Sequence, residues 1–141
     1  EMASQVIEEL RADNPTRSVE VEVMADMVAI ADKNMIRVVL DNLFHNAWKF
    51  TARSEPAKIS FTASLEEERR IFCISDNGVG FDMAFANNLF RPFYRLHDEA
   101  DFKGSGIGLA NVQRIIQRHG GQIWADARPG EGARFCFTLN P

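Results

Sequence analysis

The segment Lys33 to Thr51, KNMIRVVLDNLFHNAWKFT, constrains this chain more than any other. Ile36, Val39, Leu40, Leu43, Phe44 and Ala47 recur at the three-and-four spacing of a helix face that must be buried. Asn42, Asn46 and Lys49 fall together on another face of the same helix. Two carboxamides and an ammonium aligned in this way suit a charged ligand that brings Mg2+ and phosphates. A solvated outer face explains the same three residues, and the segment alone does not decide between the two.

The rest of the composition narrows the class. At 141 residues and 45% hydrophobic, the chain fits one globular domain, residues 1–141, and no apolar run reaches the length of a membrane span. A net charge of −4 and dispersed basic residues give no nucleic-acid footprint. Cys73 and Cys136 each sit in an alternating apolar run, IFCIS and RFCFT, without the close Cys/His spacing of a zinc site. They are read as buried free thiols of a cytoplasmic protein. The helix-like opening from Glu1 suggests a fragment of a longer chain.

Along the chain, Met2 to Ala12 reads as a helix ended by Asn14-Pro15, and Val19, Val21 and Val23 alternate as a strand. Met27 to Ala31 is read as a second short strand before the polar-striped helix. Ala57 to Leu65 and Arg69 to Ser75 form an expected hairpin around Glu66-Glu67-Glu68. A helical piece is expected over Met83 to Leu89, then an excursion over Phe90 to Lys103. Ile107 to His119 is a helix closed by Gly120-Gly121, and Gln122 to Ala127 and Ala133 to Leu139 are strands around Pro129-Gly130. This order predicts an α/β fold, a two-layer sandwich.

Two glycine-bearing segments carry further chemistry. Asp76-Asn77-Gly78-Val79-Gly80-Phe81 follows a strand, and its Asn-Gly pair is consistent with a hairpin turn. No matching strand follows, however, and a carboxylate beside glycines also suits a flat base bearing an exocyclic amine, whose hydrogen Asp76 would accept. Gly104-Ser105-Gly106-Ile107-Gly108-Leu109 runs into a helix, so free backbone N–H groups and the positive end of the helix dipole suit phosphate. A flexible loop accounts for this second segment equally well.

In chain order, DNLFHNAWKFT resembles the N box, DNGVGF the first glycine box, LFRPFYRLH the F box and GSGIGLANV the second glycine box of two-component histidine kinases. PGEGARFCFTL is similar to the last glycine box and final strand of that family. The resemblance spans Val19 to Leu139, and the wording of WKFT, FYRLH and RHGGQIWA is most similar to kinases of the bacterial phytochrome and PAS-linked kind. It implies the Bergerat ATP-binding fold, with a mixed sheet, about three helices on one face and a mobile ATP lid over residues 82–103. Residues 1–15 would then derive from the connection to a dimerisation domain.

The resemblance also assigns roles. Asn46 would ligate Mg2+, Lys49 would reach the phosphates of ATP, and Asn42 would line the same side. Asp76 would fix adenine, and Gly78 and Gly80 would shape its pocket. Gly104, Gly106 and Gly108, with Leu109, would close over the phosphates, and Phe90 and Phe93 would anchor the lid. ATPase relatives carry a glutamate one turn before the metal asparagine, where this chain has Asn42, and an amide is no base. The implied activity is therefore ATP-dependent phosphorylation of a histidine on a separate dimerisation domain, with a response regulator as the downstream partner and no direct membrane contact; the alternatives are an ATPase or serine kinase of the same superfamily, or a scaffold that senses nucleotide without transferring it.

None of the three histidines lies in a phosphoacceptor pattern. His45 is expected to pair with Asp41 at the surface, the other reading being a base for the acceptor, and His97 belongs to the lid. His119 is expected to act as a cation at a helix C-terminus. The chain departs from the family pattern after Gly132, where Ala133 replaces a hydroxyl residue that would help hold water beside the adenine carboxylate.

Overall fold

The long amphipathic segment forms α2 (Lys33–Phe50) in a computed structural model that describes residues 2–24, 31–84, 89–90 and 108–139. Its start is set by Asp32, whose side chain accepts the backbone N–H groups of Asn34 and Met35, each at 3.0 Å. The apolar stripe buries Val39, Leu40, Leu43, Phe44 and Ala47 as the spacing predicts, and adds Trp48 one turn after Phe44. Two further helices, α1 (Met2–Asp13) and α3 (Gly108–Arg118), pack against α2.

These helices cover one face of a five-stranded sheet built from β1 (Val19–Val23), β2 (Ala57–Glu66), β3 (Arg69–Asp76), β4 (Ile123–Ala127) and β5 (Ala133–Thr138). The spatial order is β1-β2-β3-β5-β4, with β1 parallel to β2 and every other pair antiparallel. Alternation puts Ile59, Phe61, Phe72, Ile74, Phe135 and Phe137 on the helix side. The aromatic rings run across the strands in series. Phe44 of α2 meets Phe61 edge-on at 5.7 Å between centroids, and Phe72 stacks on Phe137 at 5.4 Å. Helix α1 also belongs to this core, into which it buries Ala3, Val6, Ile7 and Leu10.

The expected hairpin is present, with Glu67 and Glu68 as its two-residue loop, and both residues have positive φ, 51° and 66°. The Asp76-Gly80 segment is not a hairpin turn, because β3 is flanked by β2 and β5. Gly120, at φ 72°, closes α3, and the Gly121 N–H returns to the Ile116 carbonyl at 3.0 Å. The expected strand over Met27 to Ala31 and most of the expected helix over Met83 to Leu89 fall outside the described residues. Among the described residues no helix is long and apolar enough to cross a membrane.

The cysteines correct the sequence reading. Cys73 and Cys136 are not free thiols: they lie directly opposite one another in the antiparallel β3–β5 pair and form a disulfide. The pairing brings together residues 63 apart in sequence, which neither strand pattern discloses.

Two stability predictions follow from these elements. Reducing the disulfide, or replacing both cysteines by serine, releases a long loop in the unfolded chain and should lower stability by about 2–4 kcal/mol in chemical denaturation. Glu68→Gly relieves a positive φ and should raise stability by about 0.5–1 kcal/mol in the same assay.

Candidate functional site

Helix α2 is the backbone of the site, because the other two motifs meet it at different heights. At mid-helix, a Cβ placed on Gly108 would lie 2.6 Å from Asn42 Oδ1, so α3 begins against the polar stripe and a side chain there would push the Asn42 amide aside. At the C-terminal end, a Cβ on Gly78 would lie 2.3 Å from the Phe50 carbonyl oxygen, and the Val79 N–H donates to that same oxygen at 3.1 Å. The N-terminus of α3 and the loop after Asp76 are thereby held along one side of one helix. Between these points Asn46 and Lys49 are half-buried, and the Lys49 ammonium lies 5.5 Å from the Phe50 ring centroid.

Asp76 ends β3 with its carboxylate turned back into the loop. Oδ1 accepts the Gly78 N–H at 2.8 Å, and a backbone bond from Ala133 adds a second donor. Burial pushes the Asp76 carboxyl up to about 6, against the opposing pull of those two hydrogen bonds. Ala133 thus reaches Asp76 through its backbone, although it lacks the hydroxyl of the family pattern. Gly80, at φ +63°, approaches the Arg128 carbonyl, and Gly132, at φ +90°, approaches the Asp76 carbonyl, so side chains are excluded at both. Below this loop Phe81 and Phe90 lie against Phe135, at 6.2 and 6.4 Å between centroids.

Several residues that hold the site carry no clear signal in the sequence. Asn77 reads as a turn former, yet its Nδ2 donates to the Pro56 carbonyl at 2.7 Å and its Oδ1 accepts the Lys58 N–H at 2.8 Å. It fastens the loop to the start of β2. The Phe50 carbonyl and the Ala133 N–H are main-chain groups, which no residue type reveals. Of the expected site residues, Asn42, Asn46, Lys49, Asp76, Gly78, Gly80, Phe90, Gly108 and Leu109 are placed, whereas Phe93, Gly104 and Gly106 lie outside the described residues.

Two histidines differ from expectation. The Asp41 carboxylate bonds to Arg37 Nε at 3.3 Å, one turn back, and Arg37 also pairs with Glu9; exposed His45 instead points Nδ1 at the Asp41 carbonyl, 2.7 Å away. His119 is not a helix-capping cation. Its Nε2 accepts the Asp32 N–H at 3.0 Å and its Nδ1 donates to the Ile115 carbonyl at 2.9 Å, the pattern of a neutral ring. The tertiary contact with Asp32 requires a lone pair, and it ties the end of α3 to the start of α2.

Chemically, α2 and the two segments held against it offer a half-buried carboxylate, two amides and an ammonium, and a helix N-terminus beside Asn42. Residues 31–141 match the family described as histidine kinase-, DNA gyrase B-, and HSP90-like ATPase. The chain is 34% identical to the phytochrome-like protein Cph1 of Synechocystis over 139 residues, covering 99% of this chain and 18% of that protein. It is 39% identical to the adaptive-response sensory kinase SasA of Trichormus variabilis, covering 96% of this chain and 34% of that kinase. The chain therefore spans about a third of one of these relatives and less than a fifth of the other. Among solved structures, the mycobacterial sensor histidine kinase MprB superposes with a TM-score of 0.78 at 23% identity, covering 98% of this chain and 92% of that one. Full-length ShkA in complex with AMPPNP gives 0.76 at 29% identity, covering 98% of this chain and 29% of that one. The chain belongs to the histidine kinase-, DNA gyrase B-, and HSP90-like ATPase family, with the Bergerat fold of histidine kinase catalytic domains.

Proposed function

We propose that this domain binds Mg-ATP in the groove along α2 and delivers the γ-phosphoryl group to a histidine on a separate dimerisation domain, from which a response regulator would take it. One observation carries the reading: α2 holds Gly78 against its Phe50 carbonyl and Gly108 against its Asn42 amide, so a carboxylate suited to adenine and a helix N-terminus suited to phosphate flank one polar stripe. The sensory kinases among the relatives and the nucleotide complex of ShkA support it.

The residues fit the nucleotide and the metal. The close approach of Gly78 to the Phe50 carbonyl keeps the backbone tight beside Asp76, and the carboxylate, which accepts from Gly78 and Ala133, would use a remaining lone pair to accept the exocyclic amine. Among the described residues no group of three or more His, Cys, Asp or Glu could hold a cation by itself. An ion carried largely by phosphate oxygens, with the Asn46 amide oxygen as the protein ligand, matches that donor set. Bound there, Mg2+ would neutralise charge on the phosphates. Lys49 would hold the phosphates from one turn further on, the N–H groups of the first turn of α3 would orient them, and residues 82–103 would act as the lid. Catalysis would come from positioning and charge neutralisation, with the acceptor imidazole as nucleophile. Asn42 can orient or ligate but cannot take a proton from water, which disfavours the ATPase reading.

The Asp76 reading makes a paired prediction. In the empty domain the native carboxyl titrates near 6 against an ordinary 3.8, so the native state binds the proton more tightly and its relative stability falls as pH rises through that window. Above it the ionised group costs roughly 2–3 kcal/mol. Asp76→Asn should therefore raise the unfolding temperature of the empty domain at pH 7.5 while lowering ATP affinity by roughly 10- to 150-fold in calorimetry. In the wild type, affinity should weaken as pH falls below about 6, because the carboxylate must be ionised to accept the amine. Unchanged affinity in Asp76→Asn would refute the adenine assignment.

The Asn42 reading separates kinase from ATPase. The chain supplied with a histidine-bearing dimerisation domain should yield acid-labile phosphohistidine, and alone it should hydrolyse ATP only slowly. Asn42→Glu supplies a base and should raise hydrolysis by about 10- to 100-fold. Rapid hydrolysis by the wild-type chain without an acceptor would overturn the phosphotransfer reading.

A further inference from the structure

Arg17 lies outside every motif, just before β1, yet it reaches the end of α2. Its Nη1 donates to the Trp48 carbonyl and its Nη2 to Thr51 Oγ1 at 3.1 Å, while the guanidinium lies 5.6 Å from the Trp48 ring centroid. Thr51 is fully buried, and its hydroxyl can donate onward to the Ala47 carbonyl at 2.8 Å. The Arg17 N–H bonds to the Asn14 carbonyl at 3.1 Å, which fixes where this side chain starts. A helix ends with carbonyls that have no intrahelical donor and with the negative pole of its dipole, so a guanidinium that bonds the last turn and stacks on its indole holds that turn tightly.

That turn is the one the site depends on. Lys49 follows Trp48 directly, and the Phe50 carbonyl both bonds the Val79 N–H and forms the wall against Gly78. We propose that Arg17 is a positioning residue for the nucleotide site: by clamping Trp48 and Thr51 it sets the last turn of α2, and through it the Lys49 ammonium and the loop that follows Asp76. The inference rests on the Mg-ATP reading of the groove. Lysine is a poor substitute, since one ammonium does not reproduce a planar fork that bonds two acceptors while lying over a ring.

The test uses the full chain and its variants Arg17→Met, Arg17→Lys, Thr51→Val and Arg17→Met/Thr51→Val, with thermal unfolding followed alongside Mg-ATP titration by calorimetry well below every unfolding midpoint. Arg17→Met should weaken ATP binding by about 5- to 20-fold with one site per chain retained, and Arg17→Lys should recover part of that loss. The double variant should bind no worse than Arg17→Met, because the two side chains act as one unit. If Arg17→Met does not fold, Thr51→Val, which nearly keeps the side-chain volume, should still weaken binding several-fold. A lowered unfolding temperature with unchanged ATP affinity would reduce Arg17 to a brace and overturn the proposal, as would strictly additive losses. Failure of the wild-type chain to bind nucleotide would instead refute the reading of the groove, and this role with it.

Discussion

The burial of one face of α2 against the sheet is the interaction on which the rest of the molecule depends. Phe44 sits edge-on to Phe61, and the ring series continues through Phe72 to Phe137, so one helix is keyed into strands from both halves of the chain. Close packing of this kind has little give, since interdigitated side chains tolerate only small shifts. A helix fixed in rotation by its apolar stripe must present Asn42, Asn46 and Lys49 in one direction. The core and the polar stripe are two sides of a single constraint.

Glycine converts that constraint into a site. Gly78 lets a loop approach the α2 backbone more closely than any side chain permits, Gly108 lets a helix terminus close on the Asn42 amide, and each contact sits beside a polar residue with a proposed role. Asp76 shows the accompanying cost. Its carboxyl is withdrawn from water far enough to titrate near 6, so the empty domain carries an unfavourable charge at neutral pH that a ligand donor would relieve. A group of this sort weakens the fold that holds it, and groups shifted by burial in this way cluster at functional sites.

Electrostatics also explain where residue-level expectations went astray. Pairing Asp41 with His45 was reasonable on helix spacing, but Arg37 lies one turn in the other direction and brings Glu9 of α1 with it, so the carboxylate turns toward the guanidinium. His119 was expected to be charged because it ends a helix, and a partner from another element reversed that by donating a hydrogen to its ring. In the first case a neighbour on the opposite turn, itself tied to α1, took the carboxylate; in the second a residue distant in sequence met the ring.

The sequence by itself determined the elements, their order and the polar stripe, because apolar periodicity and glycine or proline punctuation act locally: α2, the hairpin of β2 and β3, and the glycine-capped α3 all lie where their patterns put them. It also carried the five motifs, since their chemistry resides in residue type and spacing. Only the tertiary structure decided the disulfide between Cys73 and Cys136, the clamp of Arg17 on Trp48 and Thr51, and the main-chain groups of Phe50 and Ala133 that shape the groove. Those contacts join residues tens of positions apart or use backbone atoms common to every residue, so no local pattern encodes them and they come into being only when the strands take their register.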